Sequence, residues 1–336
     1  MKKTSIVKRF SCICLVFMFA IMICMAVPAQ EVAAKPIKFR AVTFLPKHLA
    51  AVAGMKMMAD RVKERSNGQL VIEYLGGPEV IPPPAQAEAL MKGRIDIGVN
   101  AAERFGDLVP EINVLHLSEL NPQEERQKGT YKWIDEHLKK KLNTHYLGRA
   151  TSNTGFFVYT SFPVSKVDDL KGKQMASRPL CFSLFRALGA NPVAVGKGDW
   201  FSAVERGVVD GHSIPLDSVV SWGLVDVTKY TIDHALYTMS SPVFMVNLDK
   251  WNKLPGDLQK LLTDVAIELE PELAALRGKR NAAARKKMIS AGVKFIKFSP
   301  ADEKKFLSAA YDSNWAVYKK KVGADVYAEA RKLFLK

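Results

Sequence analysis

The sequence predicts an α/β protein with mostly parallel sheets and enough chain for two domains. Two observations carry that reading. Runs that alternate apolar and polar residues, the period of a half-buried strand, are followed repeatedly by amphipathic runs with helical spacing. Strands separated by helices pair in parallel, because a parallel neighbour needs a crossover connection. The chain has 336 residues, well over what one core usually organises.

The first nine residues carry Lys2, Lys3, Lys8 and Arg9, and a charge-free apolar run from Phe10 to Ala29 closes on Val27-Pro28-Ala29. That order is a secretory signal peptide's, although about 20 apolar residues could also span a bilayer as an uncleaved anchor. Cleavage after residue 29 is the expectation, giving an exported, periplasmic protein. Cys12, Cys14 and Cys24 leave with the leader. The mature chain then keeps Cys181 alone and can form no internal disulfide.

Ile37 to Val42 alternates as a strand, and Leu49 to Gly68 is an amphipathic helix closed by its glycine. A strand at 69–77 follows. Pro82-Pro83-Pro84 opens a helix over 85–93, where the first-turn N–H would have no partner anyway. Arg94 to Asn100 is a buried strand. Strands follow at 146–150, 156–161 and 173–177, helices at 182–189 and 199–207, and strands at 208–214 and 241–248. A long helical region from Pro255 to Gly292 carries Pro271 as a kink.

The net charge of +15 falls to +11 without the four leader charges. Such a balance can favour nucleic acid, anionic lipid or small anions. The basic residues, however, lie in helical runs such as 135–143 and 277–287, which read as solvated helix faces, and no nucleic-acid motif accompanies them. Gly211 to Pro215 lacks the final glycine of a nucleophile elbow. Gly196-Lys197-Gly198 lacks the third glycine of a dinucleotide fingerprint, and the histidines show no paired metal spacing. The expectation is a binding protein, not an enzyme, with no cofactor, metal or nucleic-acid partner.

Several segments, in order, resemble the substrate-binding proteins of tripartite ATP-independent periplasmic (TRAP) transporters of the DctP type. They are Arg61–Gly77, Glu88–Val99, Phe162–Arg178 with its Asp-Leu-Lys-Gly, Trp200–Pro215 with its Gly-Val-Val-Asp-Gly, and Leu254–Ala266. The resemblance implies a periplasmic-binding-protein fold: two α/β lobes with crossing connections, a ligand cleft between them and a long C-terminal helix region. It places lobe I at 30–153, completed by 241–281, and lobe II at 154–240, completed by 282–336. It also implies a monomer that binds a small organic acid and delivers it to the small and large membrane subunits of a TRAP permease. Two other readings stay open: the binding protein of an ATP-driven importer, or a sensor docking on a membrane receptor.

In the family, the strand after Asp-Leu-Lys-Gly carries a carboxylate-binding arginine four residues past the glycine. That position here is Ala176, and Arg178 lies two residues on, on the same strand face. The family asparagine before a proline corresponds to Ile214. Phe156 stands where some members place a second arginine, and Arg104 matches a first-lobe arginine of others. Trp200, Trp222, Asn153 and His48 lie in neighbouring segments. Each also has a plain structural reading, Arg178 as an intralobe ion pair and Phe156 or Trp200 as core. Apolar residues at three polar family positions point to an apolar or aromatic monocarboxylate, with dicarboxylates, sugar acids and sulfonates left open.

Overall fold

The computed structural model describes residues 35–239 and 241–336, so the expected signal peptide, 1–29, lies outside the described residues. The chain begins with β1 (Ile37–Thr43), α1 (Ala53–Arg65), β2 (Leu70–Gly76), α2 (Pro83–Met91) and β3 (Ile97–Ala101). Short 3-10 turns, Ala102–Arg104 and Pro110–Leu117, lead to α3 (Pro122–Lys128), α4 (Thr130–Leu142) and β4 (Thr144–Arg149). Then come β5 (Phe156–Thr160), β6 (Gln174–Ser177), α5 (Phe182–Ala187), β7 (Asn191–Val193), α6 (Trp200–Glu205), β8 (Gly211–Pro215), α7 (Leu216–Ser221) and β9 (Tyr230–Leu236). The chain closes with β10 (Pro242–Asn247), α8 (Leu248–Asn252), α9 (Gly256–Ser290), β11 (Lys294–Ile296), α10 (Pro300–Val322) and α11 (Ala324–Phe334).

Local chemistry explains many of these boundaries. Asn121 Oδ1 accepts from the Gln123 and Glu124 amides, and Glu124 Oε2 accepts from the Asn121 amide, a capping box that starts α3. Gly129, at φ 89°, ends that helix and turns the chain into α4. On α1 the buried residues Gly54, Met55, Met58 and Val62 form one stripe. A side chain at Gly54 would bring its Cβ to 2.8 Å from Leu273, so glycine is what lets α1 lie close against α9.

The strands form two sheets, ordered β2-β1-β3-β10-β4 and β11-β9-β5-β8-β6-β7. The sheets are mixed, which corrects the expectation of mostly parallel pairing. β10 runs antiparallel to β3 and β4, and β5 runs antiparallel to β8 and β9. These are the two strands that enter directly from the other sheet. A strand arriving through a short crossing at 150–155 or 237–241 has no helix to reverse it, so it inserts against its neighbours.

Three apolar cores follow. One lies between the first sheet, α1 and the Leu258–Leu273 stretch of α9. A second joins the second sheet, α6, α7 and the Ala284–Met288 end of α9. The third includes Phe306, Trp315 and Phe334 of the last two helices, together with Ile112 and Trp133 from one side and Met175 and Phe185 from the other. The C-terminal helices therefore pack on both halves. Helix α9 runs unbroken through Pro271. Among the described residues, no helix is long and apolar enough to cross a membrane.

Candidate functional site

A cavity of about 340 Å³ opens between the two sheets. Its walls come from residues after β1 (Phe44, Leu45, Leu49), the turn after β3 (Glu103), both crossings (Thr151, Thr154, Tyr237, Ser241), the ends of β5, β6 and β8, helix α7 and one face of α9. A second cavity, of about 440 Å³, adjoins it and shares Glu103, Arg178 and Trp222. These three residues stand where the two spaces meet.

Strand β6 stops at Ser177 because Pro179 cannot continue the ladder, and the chain turns into a 3-10 helix with Arg178 as its capping residue. That turn aims the guanidinium into the cleft. Arg178 Nη1 lies 4.0 Å from Glu103 Oε1, and its guanidinium sits 5.6 Å from the Trp222 ring centre. Ser241 Oγ donates to Glu103 Oε2 at 2.5 Å, fixing the carboxylate from the second crossing. Arg104 lies over the Phe44 ring at 5.5 Å, and its buried Nε makes no hydrogen bond. Burial, and then the positive charge of Arg178, lower the Arg104 pKa. Two arginines from different sheets thus face one carboxylate, leaving an excess positive charge that favours an anion.

A second cationic group lies on α9. Arg277 and Arg280 both turn to Asp217, on the first turn of α7: Arg277 Nη1 donates to Asp217 Oδ2, and Arg280 Nε lies 3.4 Å from it. Lys287 and the small side chains of Ala283 and Ala284 complete this wall. The hydroxyls of Thr151 and Thr154, on the first crossing, are buried without a hydrogen bond.

His116 also lines the cavity, edge-on to Tyr237 at 5.4 Å, with Nε2 3.4 Å from Asn314 Oδ1. Burial holds it neutral, its pKa down to about 4. Cys181 lies beneath the site, fully buried with Sγ 3.5 Å from Ser213 Oγ, and burial pushes its thiol up to about 12. A thiol so protonated is a core side chain, not a nucleophile.

The residues singled out in the sequence divide into three groups. Arg178, Phe156 and Trp222 line the first cavity, and Arg178, Arg104, Trp200 and Trp222 line the adjoining one. Ala176 and Ile214 are fully buried in the core of the second sheet and line neither. The reason is strand geometry: Ala176 and Ile214 sit one residue inside the ends of β6 and β8, where both faces are covered, and only the last residues, Ser177 and Pro215, reach a cavity. Asn153 and His48 are exposed. Asn153 takes φ 53° in the crossing, and its neighbours Thr151 and Thr154 face the cavity in its place. His48 lies beside Leu49 and Ala50, which do line it.

Helix α9 was the larger surprise. The run 277–287 reads as a solvated basic face, yet Arg277 is buried and the 277, 280, 284, 287 spacing turns one face to the cavity. Glu103, Asp217, Thr151, Thr154 and Tyr237 carried no sequence signal either.

The family model described as bacterial extracellular solute-binding protein, family 7 (DctP), matches residues 42–321. A monocarboxylate 2-oxoacid-binding periplasmic protein of Nostoc sp. is 22% identical, over 86% of this chain and 80% of its own. A TRAP periplasmic solute-binding protein of Desulfovibrio salexigens, solved with bound orotic acid, superposes with a TM-score of 0.75 at 23% identity, covering 88% of this chain and 97% of its own. One from Ralstonia eutropha H16, solved with bound (S)-2-acetolactate, gives 0.71 at 26% identity, with 88% and 98% covered.

Proposed function

Because this chain belongs to family 7 of the bacterial extracellular solute-binding proteins, the DctP family, we propose that its cleft holds an organic acid by the carboxylate, between Arg178 and Arg104. The protein is a solute receptor for transport, not an enzyme. The minimal ligand is an apolar or aromatic monocarboxylate, whose body lies against Phe44, Phe156, Leu180 and Trp222. That support comes from the cavity wall itself, since Ala176 and Ile214 do not reach it. Burying an aromatic ring there is worth roughly 25 cal/mol per Å² removed from water.

One observation carries this reading. The two arginines come from different sheets and both stand beside Glu103 in the adjoining cavity, so an anion between them draws the halves together. Arg178 takes the part of the family arginine missing at Ala176. The lobe boundaries near 153, 240 and 281, residence in the periplasm, and delivery to a two-part TRAP permease complete the proposal. The relatives named above support the ligand class, since each is described with a small organic acid.

The test is calorimetry on unfolded, stripped and refolded protein with aromatic and branched monocarboxylates, sugar acids and sulfonates. Aromatic or branched monocarboxylates should bind best, and Arg178→Ala should weaken them about 100-fold, the scale of a charged hydrogen-bonded pair. Sugar acids binding best would refute the apolar body. Unchanged affinity in both Arg178→Ala and Arg104→Ala would remove the carboxylate from this seat.

A further inference from the structure

We propose that the outer face of helix α9, with strand β11 beside it, docks on an anionic phospholipid surface and holds the protein against a membrane. The proposal does not depend on which acid the cleft binds.

The stretch 273–301, the second half of α9 with all of β11, carries Arg277, Lys279, Arg280, Arg285, Lys286, Lys287, Lys294 and Lys297, and no aspartate or glutamate. The fold divides these cations by type. The arginines are used internally: Arg277 and Arg280 turn to Asp217, and Arg285 grips both oxygens of Asp233 at 2.7 and 2.6 Å. The five lysines are exposed, and among the described residues none of them forms a salt bridge. Their charge is therefore turned outward and left uncompensated.

Helix geometry gathers that charge on one side. Ala275, Lys279, Ala282, Lys286 and Ile289 recur every three or four residues and are all exposed, so they form one stripe about 20 Å long. At 100° per residue the stripe points roughly 140° round the axis from Arg277, Arg280, Ala284 and Lys287, which line the first cavity. Arg285 lies 4.0 Å over the Phe295 ring, which seats β11, with Lys294 and Lys297, at the same end of the helix as Lys286 and Ile289. Docking through this stripe leaves the cavity wall of α9 free.

The chemistry favours lipid over an acidic protein. An acidic partner is best gripped by the arginine fork, and here every arginine of the stretch is engaged within the fold. What remains are lysines, compact charges on flexible stems that follow a dispersed field of phosphates. Ile289, 54% exposed between Lys286 and Lys294, adds an aliphatic group of the kind that interfacial helices sink among the headgroups.

The experiment sediments the mature protein, residues 30–336, with vesicles of phosphatidylcholine alone and of phosphatidylcholine mixed with phosphatidylglycerol. Thermal melts first establish that each variant is folded. Wild type should bind the anionic vesicles at least tenfold more tightly than the neutral ones at low salt, and lose most of that advantage at 0.5 M salt. Lys279→Glu with Lys286→Glu should weaken the binding tenfold or more, since each lysine at such a surface contributes about fivefold. Ile289→Ser should weaken it about threefold. The control pair Lys140→Glu with Lys320→Glu makes the same change in net charge at exposed positions of α4 and α10, and should cost less than threefold. Equal losses in the two pairs would overturn the docking face, because net charge alone would then account for the binding. Equal binding to both vesicles would overturn it as well. Retention on immobilised polyglutamate without binding to either vesicle would assign the face to an acidic protein and overturn the lipid reading.

Discussion

Arg178 and Glu103 face each other across the cleft at 4.0 Å, Nη1 to Oε1, each in the turn that ends a strand of a different sheet. The distance is too long for a hydrogen bond. Glu103 is instead held by Ser241, and Arg178 rests on Trp222. The pair is close enough to lower the charge of the site and loose enough for a ligand carboxylate to take the arginine.

Glu103→Gln removes that competing charge while keeping the side chain's shape and its contact with Ser241. Monocarboxylate affinity should rise by threefold to tenfold, measured by calorimetry at low salt, and the gain should shrink at 0.5 M salt as screening sets in. A loss of affinity would mean that Glu103 orients the arginines instead of competing with the ligand.

Trp222 lies in the wall between the two cavities and stands edge-on to Trp200 at 5.7 Å. Trp222→Leu keeps an apolar surface but removes the ring. Aromatic acids should lose about tenfold in affinity, the value of one ring–ring contact with its buried area, while aliphatic acids lose less than threefold. Equal losses for the two classes would show that the indole only fills space.

His212 gives a pH prediction. It is fully buried, stacked on Tyr159 at 4.8 Å, with Nε2 3.1 Å from Thr228 Oγ1, and burial lowers its pKa from 6.5 to about 3. The unfolded chain takes up this proton first as pH falls. Stability from the neutral ring is therefore whole above about pH 6.5 and is lost at up to about 1.4 kcal/mol per pH unit toward pH 3. His116, also lowered, adds to the same slope. Urea unfolding of wild type and His212→Gln at pH 7.0 and 5.0, above the carboxylate range, should show the wild type losing about 2 kcal/mol more than the variant. Parallel losses would mean His212 charges freely in the fold.

The fold was legible where a local signal and the tertiary outcome coincide. Pro83 opens α2, the alternation of Ile37 to Thr43 gives β1, and the long region past Pro255 is one helix. Pairing direction was less so, because the insertion of β5 and β10 depends on where short crossings deliver them. Arg178, Arg104, Phe156 and Trp222, singled out through the family resemblance and the segments beside it, stand at or just past the ends of elements and line the cavities. Ala176 and Ile214 lie inside strands covered on both faces, and alternation alone cannot separate a cleft face from a packed one. Arg277 and Arg280 were misread for the opposite reason. A basic helical run looks solvated until a second half of the protein is placed over it.

Helix α9 is fixed at both ends to different masses: Leu258 to Leu273 are sunk in one core, Ala284 and Met288 in the other. Any change of angle between the two cores must be absorbed as curvature in the stretch between them. Pro271, which has no amide proton to give back to the preceding turn, leaves one helix hydrogen bond unmade at the edge of the first core, just before that stretch. The helix thus behaves as a leaf spring clamped in two blocks, with the cavity-facing arginines mounted on its free span.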